Sequence, residues 1–189
     1  FGLWNSIIIT ASLLLEFISD HKKEVSTRYE DLFKAYTSDH DIKRAKEKPA
    51  YKPDNRIIVN FPKYIVDTMN GYFIGNPIKT VADDEAVSQY VEHIEQYNDQ
   101  DDNNAELSKI MSIYGKGYEM YYADERNELC ITYLSPLDAF MIFDDSIIER
   151  PLYFVRIYKD YEGNEYGSIS DSRSVRHFEL KGGLHWLGE

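Results

Sequence analysis

The repeat of apolar residues changes once along this chain, and that change limits the possible folds more than any other feature. Up to about Gly115, apolar side chains recur at three- and four-residue steps, the pattern of helices with one buried face. From Tyr118 they alternate at every second residue, the pattern of pleated strands. Helices first and strands afterwards describe an α+β chain. The expected fold is N-terminal helices followed by a mostly antiparallel β-sheet, with no internal repeat.

The central stretch Asn55–Thr80 is punctuated at both ends. Asn60 is a good helix cap, and Pro62 sits in a first turn that tolerates a missing N–H. Ile65, Met69, Tyr72 and Phe73 then mark one helical face. Gly71 lowers helical preference locally, Gly75 is placed for a left-handed cap, and Asn76-Pro77 prevents continuation. A helix this apolar and aromatic does not sit alone in water.

Upstream, Asn5 or Ser6 is expected to cap a helix running to about Tyr36, with a break near Ser19-Asp20. Its first half is apolar nearly all round (Ile7 to Ile18), which implies docking on a neighbour. Asp39–Asp54 reads as a polar connector carrying Lys43, Arg44, Lys46, Lys48 and Lys52. A solvated loop accounts for it, with nucleic acid or an acidic neighbouring subunit as the alternatives. Arg56–Val59 is expected as a short strand. Ala82–Asp99 reads as a helix with acids in its first turn, Asn98–Asn104 as a polar turn, and Ala105–Tyr114 as a further helix. By pattern the chain divides into a helix and connector, 1–53, and an α+β body, 54–189.

The strand half is expected as a hairpin, Tyr118–Ala123 with Leu129–Leu134, then Ala139–Phe143 and a long strand Pro151–Lys159. Tyr153, Val155 and Ile157 face one way on the long strand. Shorter strands follow near Tyr166–Ile169 and Val175–Leu180, and Leu184, Trp186 and Leu187 close the apolar pattern.

Composition excludes several classes of chemistry. The net charge of −12 gives no overall attraction for a phosphate backbone. Cys130 is the only cysteine, which excludes an intrachain disulfide and a cysteine-based zinc cluster; it reads as a buried strand position. Ile7–Leu15 is far short of the roughly 20 residues of a membrane helix, so no membrane span is expected. Phe1 in place of methionine reads as a chain lacking its natural start. No phosphate-binding loop and no nucleophile elbow occur. The five histidines are scattered without metal-ligand spacing. Asp144-Asp145 is the best enzyme candidate, since paired carboxylates at a strand end hold magnesium in nucleases, although Asp-Asp there is also ordinary turn chemistry. No cofactor is expected.

Three stretches together resemble the portal (head–tail connector) proteins of tailed bacteriophages, in particular those of siphophages of Gram-positive hosts. The first is Asn60-Phe-Pro-Lys-Tyr-Ile-Val-Asp67-Thr68 with its close at Gly71–Ile78. The second is Tyr29–Tyr36 followed by Asp39-His40-Asp41-Ile42. The third is Tyr133–Asp144, which includes Pro136, followed by Pro151–Tyr158. The motif residues Asn60, Pro62, Ile65, Asp67, Thr68, Gly71, Gly75, Asn76, Pro77, Pro136 and Pro151 are structural in such a protein. Tyr36–Ile42 departs from the family's glycine-bearing version, with Thr37-Ser38 in its place.

The resemblance implies a non-enzymatic subunit of a homo-oligomeric ring, usually of twelve, at one capsid vertex of the virion, assembled in the host cytoplasm. Such rings form the channel for packaging and ejection of double-stranded DNA and dock the terminase, capsid or scaffold, and head-completion proteins. The family's stem, clip and tunnel-lining segments follow the matched motifs, so this stretch corresponds to the wing or outer body. The first helix and the tyrosine-rich sheet are the expected contacts with neighbours. Two rivals remain: a metal-dependent nuclease using Asp144 and Asp145, and an adaptor that forms no ring.

Overall fold

The structure, a computed structural model, describes residues 9–187. The expected Asn5 or Ser6 cap lies outside the described residues. Among the described residues, five α-helices precede seven strands: α1 Ala11–Glu24, α2 Glu30–Tyr36, α3 Phe61–Ile74, α4 Glu85–Tyr97 and α5 Gln100–Tyr114. The strands are β1 Tyr118–Ala123, β2 Leu129–Leu134, β3 Ala139–Phe143, β4 Pro151–Lys159, β5 Glu165–Ser170, β6 Val175–Leu180 and β7 Leu184–Trp186. This is the α+β order that the change of period demands. All strand pairing is antiparallel, in a two-stranded sheet β1-β2 and a five-stranded meander β3-β4-β5-β6-β7.

Two compact units divide the residues, and one is discontinuous in sequence: Phe1–Ser26 with Leu137–Glu189, and Thr27–Pro136. In the discontinuous unit, α1 lies on the five-stranded sheet. Thr10 begins the helix, its hydroxyl accepting from the Leu13 N–H at 3.3 Å. Ile9, Leu14 and Ile18 join Ile142, Tyr153, Val155, Ile157, Ile169 and Phe178 in one buried cluster. Burial of each such side chain stabilises by about 1.5–3 kcal/mol. One face of the first helix, Leu13, Leu14, Phe17 and Ile18, is therefore covered by its own sheet and not free for neighbours, whereas Leu15 is exposed and Ile7 and Ile8 lie outside the described residues. Lys22 also reaches from α1 to Glu165 at 2.5 Å, holding that carboxyl below the usual range.

No break occurs at Ser19-Asp20. The irregularity falls instead at Val25–Tyr29, a π turn between α1 and α2 that holds one extra residue per turn. Nothing in the periodicity marks it, because the apolar stripe continues through it.

The second unit packs α3 along α5, with Val66, Ile110, Tyr114 and Tyr29 buried. The polar run expected as a turn at Asn98–Asn104 is mostly helix. Asp99, in the left-handed region at φ 49°, makes the reversal, and α5 resumes at Gln100 with Asp101 and Asp102 in its favourable first turn. Asn98 accepts from the Ile131 N–H at 2.6 Å and donates to the Leu129 carbonyl at 2.9 Å, tying this joint to β2. Asn103 donates to the Ile131 carbonyl at 3.1 Å. Arg56–Val59, expected as a short strand, pairs with no strand among the described residues. Cys130 is half-buried rather than buried, since only one strand pairs with β2.

Candidate functional site

Of the two carboxylates singled out for catalysis, Asp144 is occupied by loop structure. Asp144 closes β3, and its Oδ1 accepts from the Ser146 hydroxyl at 2.6 Å and the Arg150 N–H at 2.8 Å. These donors, the Ser146 hydroxyl foremost, hold its carboxyl below the usual range. A carboxylate spent on stapling its own loop is turn chemistry. Among the described residues, no group of three or more His, Cys, Asp or Glu is placed to hold a metal ion. His40 does not join Asp39 and Asp41 around a cation site; those two acids bind Arg44 at 2.7 and 2.9 Å.

The motif helix is built around Asn60. Its Oδ1 accepts from the Lys63 N–H at 2.8 Å, capping α3. Its Nδ2 donates to the Tyr36 carbonyl at 2.7 Å and to the Ser38 hydroxyl at 2.5 Å. Tyr36 ends α2, so its carbonyl is one of the acceptors a helix C-terminus leaves open. One side chain thereby finishes two helices. Ser38 holds a left-handed φ of 65°, a conformation in which glycine is favoured. Beside it, Tyr36 donates to Asp67 at 2.9 Å, and Lys63 reaches Asp67 at 2.8 Å. Lys63, and next the Tyr36 hydroxyl, hold the Asp67 carboxyl below its usual range.

Asn60→Ala is expected to cost about 2 kcal/mol, about one from the lost cap and about one from the two groups left without a donor. Asn60→Asp keeps the capping oxygen and loses both donors, so it should recover roughly half. Urea unfolding of the two variants decides the matter: equal losses would mean that the cap contributes nothing.

The remaining motif residues fall into three groups. Asn60, Pro62 and Asp67 belong to the α3 joint just described. Ile65, Thr68, Gly71, Gly75, Asn76 and Pro77 are exposed. Pro136 is fully buried at the end of the second unit, whereas Pro151 opens β4 opposite Phe143 in the other unit. Gly75 is right-handed at φ −64°, contrary to the left-handed cap expected of it. A Cβ there would lie 2.1 Å from the Gly71 carbonyl oxygen, so close backbone approach is what excludes a side chain.

The expected apolar stripe of α3 faces outward. Pro62, Val66, Asn70 and Ile74, at four-residue steps, form its covered side, and Asn70 donates to the Ala105 carbonyl of α5 at 3.3 Å. Tyr72 is 92% exposed and Phe73 76%, with Phe61, Tyr64, Ile65 and Met69 all above half. These six side chains present about 800 Å², close to what one partner buries in a standard interface, about 800 Å². Tyr72, Phe73, Met69, Ile78, Leu107 and Met111 line a groove of about 610 Å³ without a charged wall. An uncharged apolar surface of this size marks an interaction face.

A scan against family models matches residues 15–186 to the family described as phage portal protein, SPP1 Gp6-like. The match begins inside α1 and ends in β7, so it runs through both compact units. No curated protein matches the chain.

Proposed function

Because the chain belongs to the SPP1 Gp6-like family of phage portal proteins, we propose that it is a structural subunit of the portal ring at the capsid vertex. In that role it contributes to the passage through which double-stranded DNA is packaged and ejected. It also offers surface to the terminase, the capsid or scaffold, and head-completion proteins. The family is structural rather than catalytic. The observation that carries the reading is the extent of the family match, which leaves few described residues outside it. The exposed face of α3 supports it, because a ring subunit must bury apolar surface against something other than itself. No described helix is long and apolar enough to cross a membrane.

The test is direct imaging. Negatively stained particles of the chain, weighed in parallel by mass photometry, are expected to show closed rings, with twelve subunits as the figure the resemblance suggests. A population that stays monomeric at every protein concentration would overturn the ring and favour an adaptor docking one partner on the α3 face.

A further inference from the structure

The chain is acidic overall, at −12, yet one stretch concentrates its cations. Every residue from Asp41 to Asn55 is exposed. Arg44 is bound by Asp39 and Asp41, but Lys43, Lys46 and Lys52 have no carboxylate within ion-pair distance among the described residues. In the same compact unit, the connector Pro77–Val81, one flank of α4 and the start of α5 enclose a groove of about 630 Å³. Glu92, Glu95, Asp99 and Asp101 line it against a single cation, Lys79. None of these four carboxylates has an ion pair among the described residues, although Glu95 accepts from the Thr80 hydroxyl at 2.7 Å. Each patch repels itself until a countercharge arrives.

We propose that the basic segment Lys43–Lys52 of one copy seats in the acidic groove of the next copy of this chain. The inference rests on the ring reading above and names the two surfaces that would meet. Charge complementarity selects the occupant: a basic loop whose Lys43, Lys46 and Lys52 lack a carboxylate partner and a groove with four carboxylates against Lys79 belong to one unit and are opposite in sign. The segment leaves a single 3-10 turn at Asp41–Arg44 and reverses where the Lys52 N–H donates to the Pro49 carbonyl at 2.8 Å, so it meets the groove as an exposed basic loop. A contact between two different patches is heterologous, and it builds a ring when its rotation closes and an open filament when it does not. A self-complementary patch stops at a dimer. Nucleic acid is the poorer occupant for the lysines, because its phosphates also meet the field of a chain at −12.

Two charge-reversed chains test the contact: one carries Lys43→Glu, Lys46→Glu and Lys52→Glu, the other Glu92→Lys, Glu95→Lys and Asp101→Lys. Each alone is expected to lose self-association by about tenfold or more in sedimentation velocity. Mixed one to one, they should recover it, since the reversed loop fits the reversed groove. Wild-type association should also weaken as salt rises. Circular dichroism confirms folding, and Glu92→Gln with Glu95→Gln gives a milder loss in the same direction should the lysine chain fail to fold. Folded variants that associate like wild type, or a mixture that stays apart, overturn the contact. Loss of duplex DNA binding by the reversed loop with association unchanged also overturns it, in favour of nucleic acid. A wild-type chain that never associates removes the ring reading first, whereas wild-type rings with unaffected variants remove only this contact.

Discussion

Phe178→Ala is expected to lower the unfolding free energy by about 3–5 kcal/mol, the usual cost of emptying a buried phenylalanine site. Phe178 is 0% exposed and lies opposite Gly167 in the β5–β6 register. A Cβ built on Gly167 would come within 2.2 Å of the Phe178 ring and 2.6 Å of the Arg156 carbonyl oxygen. The ring thus rests on bare backbone, and three hydrogen-bonded strands cannot collapse into the hole its loss would leave. Gly167→Ala drives a methyl into the same ring and is expected to cost about 1–3 kcal/mol as overpacking. Combining the two should cost less than their sum by about 1 kcal/mol, because removing the ring leaves only the carbonyl clash. Trp186 meets the Phe178 ring edge-on at 6.1 Å and reports this unit by fluorescence during urea unfolding. Strict additivity would mean that the ring and Gly167 do not share a packing constraint.

What could be read in advance followed from whether a residue's partner is local. β1, β2, β3, β4 and β6 have the bounds expected of them, because alternation and turn residues are written within a few positions of each strand. Asn60 as a cap was legible for the same reason: it serves the N–H three residues on. Its second task, finishing α2 through Tyr36, spans 24 positions and leaves no local sign. The covered side of α3 was misread because α5 chooses it, and the more apolar stripe was left to the outside. β7 is too short for alternation to announce it, and its pairing with β6 makes it a strand. That α1 shares a core with strands more than a hundred residues later is a packing outcome with no local trace. The family was legible through its motifs rather than through any catalytic signature.

Tyr29→Phe is expected to leave the second unit as stable as wild type or to stabilise it by about 1 kcal/mol, while Tyr29→Ala should cost about 3–5 kcal/mol. Tyr29 ends the π turn and is 1% exposed. Its ring meets Tyr114 of α5 edge-on at 5.8 Å, and the Arg28 and Lys116 cations each lie 5.7 Å from its centre. Its hydroxyl is shut from solvent with no hydrogen-bond partner among the described residues. Burying a hydroxyl unpaired costs free energy, and phenylalanine removes that cost while keeping the ring contacts. The π turn sets the direction in which the Tyr29 ring leaves the helix, because one added residue rotates a side chain by about 100° about the axis. The same substitution therefore separates two accounts of the turn. If the turn serves to bring the ring onto Tyr114, Tyr29→Phe keeps its thermal midpoint by far-ultraviolet circular dichroism and Tyr29→Ala loses it. If Tyr29→Phe falls as far as Tyr29→Ala, the hydroxyl rather than the ring is what the turn positions.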